Sequence, residues 1–177
     1  MWLSIVRHFQ PDVIYPAIDQ IDFLPWAAQG IRLVLLDIDN TLVRHGSRAG
    51  DDKARQTIER IRRAGLLPYI VSNAKPSRAR QFADSLGVPC VGLSGKPSPR
   101  GLKTAMQKSG FLPDQTVMIG DQLFTDVRAA RNAQVMAVLV LPVDRHEVWN
   151  VAIKRCLEAP LMQAYRKNTS LWPLGQA

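Results

Sequence analysis

Three features of this 177-residue chain predict an α/β fold, a single domain built on a doubly wound parallel sheet. Short apolar runs alternate with single stretches of helical periodicity along its length, as βα units do. The run Ile31 to Leu36 has five apolar residues in six positions, which reads as a strand buried on both faces. Polar side chains then fall at the ends of successive runs: Asp37 and Asp39, Ser72 and Asn73, Lys96, and Asp121. Parallel strands bring such ends to one sheet edge, where open α/β sheets bind ligands.

Residues 1–30 read as a lead-in segment. Trp2, Leu3, Ile5, Val6 and Phe9 give residues 1–10 an amphipathic helical pattern, suited either to docking on the domain or to resting on a membrane surface. Pro11, Pro16 and Pro25 break any long helix in 11–30, leaving a short helical turn closed by Gly30. The catalytic core is expected over 31–142. After its first strand comes a polar loop, then a helix capped by Asp51 or Asp52, with Ala54, Ile58, Ile61 and Ala64 on its inner face and Gly65 at its end. Leu66 to Ser72 reads as the next strand. A helix opening at Pro76 buries Ala79, Phe82, Ala83 and Leu86 and stops at Gly87. Val88 to Leu93 is a short strand. Ser98 is the expected N-cap of a helix burying Leu102, Ala105 and Met106 and ending at Gly110. Thr116 to Ile119 is a strand, Thr125 to Ala133 a helix, and Val135 to Leu141 the last strand. Residues 143–177 read as a helix from about Asp144–His146 to Glu158, broken at Pro160, with a tail, all part of the same domain.

With 46% hydrophobic and 21% charged residues, the chain has the balance of an ordinary globular protein and length for a sizeable core. No apolar run reaches bilayer-spanning length. The N-terminal segment lacks the apolar length and small-residue cleavage site of a signal peptide. Cys90 and Cys156 lie far apart, without metal or redox spacing, and are expected as buried thiols of a reducing compartment. A cytoplasmic protein is the expectation, with a peripheral membrane position as the alternative. The net charge of +8 is uneven: between Arg44 and Arg80, ten Lys and Arg stand against Asp51, Asp52 and Glu59. A basic rim beside an acidic centre attracts phosphorylated ligands or anionic lipid, although each basic residue taken singly also fits a solvated helix face. The absence of a nucleic-acid motif or interleaved aromatics speaks against nucleic acid. His8, His45 and His146 have no ligand spacing and receive no role. Nothing in the sequence sets an oligomeric state.

The chemistry follows from residue types at the strand ends. In extended chain, residues i and i+2 share a face, so Asp37 and Asp39 are expected side by side. Two close carboxylates are unfavourable unless a divalent cation neutralises them or one is protonated. Such a pair suits phosphoryl transfer: Asp37 as nucleophile, Asp39 as general acid and later as the base that activates water. The Ser72 hydroxyl can donate to a phosphoryl oxygen. Lys96 adds a compact positive charge. Asp121 is a third carboxylate for Mg2+, a hard ion that prefers oxygen donors, and Asp126 is placed to orient a metal-bound water or the lysine. Any one of these residues could be a turn former or a surface charge. Their joint order is much harder to dismiss.

Asp37-Ile38-Asp39-Asn40-Thr41-Leu42, Ser72-Asn73, Lys96-Pro97 and Gly120-Asp121 with Thr125-Asp126 resemble, in order, the four signature motifs of the haloacid dehalogenase (HAD) superfamily. More narrowly they are similar to its HAD-IIIA, YqeG-type phosphatases, related to the phosphatidylglycerophosphate phosphatases. The resemblance implies a HAD-like Rossmannoid fold and an aspartyl-phosphate on Asp37, with Asp39 as acid and base. It implies Mg2+ on the Asp37 carboxylate, the Asp39 backbone carbonyl and Asp121, with Asp126 as a further metal or supporting residue. Thr41, Ser72, Asn73 and Lys96 would hold the phosphoryl group. A carboxylate at Asp39 marks phosphatases and phosphomutases in this superfamily and argues against dehalogenation. Asn73-Ala74-Lys75 departs from relatives that carry another Asn there, which touches the leaving-group contacts.

Neither 43–65 nor 74–95 can house a cap domain, so the site should be open to a large substrate. The leading expectation is a Mg2+-dependent phosphomonoesterase converting phosphatidylglycerophosphate to phosphatidylglycerol, with the basic segment and Trp2, Phe9 and Trp149 suited to a phospholipid headgroup at a membrane surface. The same chemistry on a soluble sugar, nucleotide or protein phosphate is the alternative. A non-enzymatic phospho-acceptor or phosphate-binding module is the reading from another class.

Overall fold

A computed structural model describes residues 8–144, 149–166 and 169–171. Most of the amphipathic segment expected over 1–10, with Trp2, lies outside the described residues. So do the expected helix start near His146, the side chains of Trp149 and Cys156, and the tail from 172 onward.

Six parallel strands form one sheet: β1 (Val13–Tyr15), β2 (Leu33–Leu36), β3 (Leu67–Val71), β4 (Cys90–Val91), β5 (Thr116–Gly120) and β6 (Met136–Val140), in the order β1-β6-β5-β2-β3-β4. Leu35 of β2 stands level with Tyr69 of β3 and Met118 of β5, so the central strands end together. Alternation along the strands splits the core in two. Val34, Leu36, Ile70, Val117 and Ile119 face one layer, with α1 (Leu24–Ala28), α2 (Asp52–Arg63) and α3 (Pro76–Leu86). Leu33, Leu35, Tyr69, Val71 and Met118 face the other, with α4 (Arg100–Ser109), α5 (Arg128–Ala133) and α6 (Trp149–Arg166). The doubly wound expectation therefore holds, and the segments 43–65 and 74–95 contain a loop with α2, and α3 with β4, and no cap domain.

The helix signals act as expected where local chemistry governs. The Asp51 side chain accepts the Ala54 N–H at 2.8 Å, Pro76 opens α3, and Gly87 and Gly110 take the left-handed conformation after α3 and α4. Four expectations are corrected. The lead-in contributes an edge strand, β1, too short between Pro11 and Pro16 to announce itself. It is held by pairing with β6 and by Asp12, whose carboxylate accepts the Ala137 N–H at 2.7 Å. Prolines fit such an edge. Ser98 sits one position further out than expected: the helix starts at Arg100 with Pro99 at the cap position, and the Ser98 hydroxyl accepts the Arg100 N–H at 3.3 Å. The segment after β5 begins as a π-helical turn, Leu123–Val127, before α5. Finally, α6 runs through Pro160 to Arg166. An interior proline costs about 3 kcal/mol, and burying Leu161 and Tyr165 beyond it returns a similar amount, at roughly 1.5–3 kcal/mol per large side chain.

Phe9 packs edge-on against Phe124, ring centroids 4.9 Å apart, and the Arg128 guanidinium lies over its ring, 5.5 Å from the centroid. It is a docked residue, not a free membrane anchor. Cys90 is half-buried in β4 as a free thiol, less enclosed than expected.

Candidate active site

The strand ends converge as the sequence implies. Asp37 follows β2 directly, its N–H donating to the Ile119 carbonyl of β5 at 3.0 Å, so its side chain is set by the sheet itself. Lys96, on the loop after β4, reaches under β3: Nζ donates to the Val71 carbonyl at 2.9 Å and to Asp37 Oδ1 at 2.6 Å, and lies 2.6 Å from Asp126 Oδ1. Asp37, Lys96, Asp121 and Asp126 are all buried. Burial pushes Asp37 up, and Asp126 and Asp39 add to this. Lys96 pulls it down, and the balance is a carboxyl raised to about 6. Burial pulls Lys96 the other way, but the Asp126 and Asp37 charges outweigh it and hold the ammonium protonated.

Asp126 is placed by the π-helical turn. Its Oδ2 accepts the Gln122 N–H at 3.1 Å, and the carboxyl lies over Gly120, where any β-carbon would collide with it. The turn is gripped from outside by Glu158 of α6, whose buried carboxylate accepts the Phe124 N–H at 2.9 Å.

Asp39 is brought to the same cleft, although not to the carboxylate cluster. Its oxygens take both terminal nitrogens of Arg78, each at 2.7 Å, and the Gly46 N–H at 2.8 Å, with His45 Nδ1 at 3.5 Å. Burial raises its carboxyl, but the Arg78 and Gly46 hydrogen bonds and the Arg78 and His45 charges outweigh burial and set it below the usual carboxylate range. Asp37 and Asp39 thus line one cleft, as expected from their spacing, but Asp39 stands outside the carboxylate cluster. The strand ends at Leu36, the chain turns at Asn40 with φ +58°, and Asp39 faces a guanidinium. Its backbone carbonyl is the donor left for the expected metal role.

Ser72 is buried at the end of β3, its Oγ accepting the Ala74 N–H at 3.1 Å, and it lines the cleft. The Asn73 amide is taken up by the Lys96 loop: Oδ1 accepts from Ser94 Oγ and Lys96 N, and Nδ2 donates to the Lys96 carbonyl. It orients the lysine loop. The Thr41 hydroxyl, 1% exposed, has no hydrogen-bond partner among the described residues, an uncompensated buried group of the kind a ligand satisfies.

The acidic cluster fits a divalent cation. Asp37, Asp121 and Asp126 each offer an oxygen within 4.8 Å of the others. Three buried carboxylates face one buried ammonium, an imbalance that a hard dication corrects with oxygen donors. The cleft above encloses about 240 Å³. Arg78, His45, Gln122 and Thr125 also line it and were missed as site residues. Thr125 belongs to the quoted fourth motif, and Gln122 lies between its two parts. Arg78 lies in the first turn of α3, six residues after Ser72, where its only sequence signal was dissolved in the basic run.

A family model described as a haloacid dehalogenase-like hydrolase matches residues 46–134. The chain is 26% identical over 161 residues to the "Probable phosphatase YqeG" of Bacillus subtilis (strain 168), covering 91% of this chain and 94% of that protein. A HAD family hydrolase structure from Deinococcus radiodurans R1, with bound phosphate and sodium, superposes with TM-score 0.54 at 18% identity, covering 77% of this chain and 97% of that one. The 3-deoxy-D-manno-octulosonate 8-phosphate phosphatase of Moraxella catarrhalis, in complex with magnesium, phosphate and KDO, superposes with TM-score 0.51 at 16% identity, covering 82% of this chain and 93% of that one.

Proposed function

This chain belongs to the haloacid dehalogenase-like hydrolases, as a phosphatase of that family, and from that premise we propose that it hydrolyses phosphomonoesters through a phosphorylated Asp37. The observation that carries this reading is the Lys96 ammonium set 2.6 Å from both Asp37 and Asp126 at the carboxyl edge of the sheet. It holds one Asp37 oxygen and leaves the other for attack. In the first step an Asp37 oxygen bonds to phosphorus as the ester P–O bond breaks, and Asp39 gives its proton to the departing alkoxide. In the second, water adds to phosphorus, its proton passes to Asp39, and the bond to Asp37 breaks. Asp39 must therefore loosen from Arg78 to take up the first proton. Lys96, the Ser72 hydroxyl and Thr41 are assigned to the phosphoryl oxygens. Asn73 positions the lysine loop. When bound, Mg2+ would be held by Asp37, Asp121, the Asp39 carbonyl and the nearby Asp126, and it supplies positive charge to the phosphoryl oxygens.

For substrate, we propose a phospholipid headgroup, with phosphatidylglycerophosphate first. The support is the lack of a cap and Leu93, which is 64% exposed on the loop leading to Lys96. The basic segment supports it less than its sequence suggests, because Arg60 and Arg62 donate to backbone carbonyls of neighbouring elements. On this reading the protein is cytoplasmic and peripheral on the membrane. No helix among the described residues is long and apolar enough to cross a membrane. A soluble phosphomonoester is the second reading, favoured by the likeness to an octulosonate phosphatase.

The test is phosphate release with Mg2+ from phosphatidylglycerophosphate in mixed micelles against a panel of soluble phosphomonoesters, with Asp37→Asn as control. Preference for the lipid, lost in the variant, supports the full reading. Turnover of soluble esters alone keeps the mechanism and discards the lipid. Stable labelling of Asp37 without phosphate release replaces the phosphatase by a phospho-acceptor.

A further inference from the structure

We propose that Arg78 is the recognition residue for a second anionic group on the substrate, a carboxylate or phosphodiester near the scissile phosphomonoester, and that the Asp39 carboxylate stands in that group's place in the free chain. The proposal rests on the phosphatase reading above and names its substrate class.

The guanidinium presents two nitrogens to two carboxylate oxygens, each pair at 2.7 Å. That is the fork-to-fork match by which arginine takes carboxylate and phosphate. The fork is held from behind by the Ser47 carbonyl, which accepts from Nε at 3.3 Å and Nη2 at 3.0 Å. It therefore stays aimed at the cleft when the carboxylate moves. Asp39 is held separately by the Gly46 N–H at 2.8 Å, so it keeps a partner when Arg78 is taken. The buried cation, Lys96, is occupied by Asp37 and Asp126, while Arg78, half-buried, lines the same cleft. An incoming anion exchanges one bidentate pair for another and leaves Asp39 free to face the leaving group. A neutral substrate can only break the pair without replacing it, and the difference between the two cases is selectivity.

Binding tests this first, by calorimetry with Mg2+ on the Asp37→Asn chain, which cannot transfer the phosphoryl group. The probes are glycerol 3-phosphate, 3-phosphoglycerate, which differs from it by a carboxylate, and the deacylated phosphatidylglycerophosphate headgroup, which carries a phosphodiester. At least one of the two doubly anionic probes should bind about tenfold or more tighter than glycerol 3-phosphate, and which one does so identifies the source of the anion. Adding Arg78→Met should collapse that ratio toward one. Arg78→Lys, which keeps the charge and loses the fork, should restore it in part. The same ratios are read as kcat/KM on the chain with Asp37 intact, with circular dichroism to check folding. Ratios unchanged in both Arg78 variants overturn the proposal, as does equal binding of all three probes to the parent. Arg78-dependent selectivity without phosphate release from any probe removes the phosphatase reading and leaves the recognition role standing. Phosphate release with ratios indifferent to Arg78 does the reverse.

Discussion

Asp37→Asn should make the metal-free protein more stable, although it removes the proposed nucleophile. Burial, then Asp126 and Asp39, raise the Asp37 carboxyl from its ordinary 3.8 to about 6, against the pull of Lys96. Ionising it in the folded chain therefore costs roughly 3 kcal/mol more than in the unfolded chain. The folded state holds this proton more tightly, so the penalty is absent below about pH 4, grows between about pH 4 and 6, and is complete above that. Asn cannot ionise. In EDTA the variant and the parent should differ little near pH 4. At pH 7.5 the variant should be ahead by roughly 3 kcal/mol, a Tm higher by about 6–12 °C for a chain of this size. Mg2+ should narrow or reverse the order, since saturation at about a hundred times Kd stabilises the parent by about 2.7 kcal/mol and the variant has lost a ligand. The assay is thermal and urea unfolding by circular dichroism across pH 4–8, in EDTA and in Mg2+. A variant no more stable than the parent in EDTA at pH 7.5 refutes the electrostatic argument. A parent indifferent to Mg2+ refutes the cation.

Lys96→Met leaves Asp37 and Asp126 buried without their ammonium. It should cost roughly 3–5 kcal/mol in a urea titration at pH 7.5 in EDTA, and less at pH 5, where Asp37 can accept a proton. Gly120→Ala places a β-carbon on the Asp126 carboxyl. It should abolish the Mg2+-dependent rise in Tm and most phosphate release while the far-ultraviolet spectrum stays native. Glu158→Ala removes the acceptor of the Phe124 N–H. It should cost about 1–3 kcal/mol by thermal melt and reduce phosphate release, because the same turn carries Asp126.

What the sequence discloses depends on whether a residue's partner is local. β2 and β5 were legible because both faces are buried and the apolar run is unbroken. The inner face of α3 was legible because Ala79, Phe82, Ala83 and Leu86 repeat at the helical period. Convergence of Asp37, Ser72, Lys96 and Asp121 followed from parallel strands alone. β1 has three residues, and only its ladder to β6 makes it a strand. The path of α6 through Pro160 depends on burial of Leu161 and Tyr165 in the layer shared with α4 and α5, which no proline rule contains. The Asp39 side chain is the sharpest case. An i, i+2 rule puts it on the same side as Asp37, and both do line one cleft. What the rule cannot supply is the partner: Arg78, 39 residues away, takes both carboxylate oxygens. The electrostatics support the same division. Asp37 is high because its surroundings are dry and acidic, whereas Asp39 is low because a guanidinium from another βα unit reaches it. Two carboxylates two residues apart thus acquire opposite proton affinities from tertiary contacts, in the reverse of the order that an ionised nucleophile and a protonated acid need: a cation bound at Asp37 would lower the one, and release from Arg78 would raise the other. Reaction then turns on what draws Arg78 from Asp39, which is why the substrate's second charge is the variable to test.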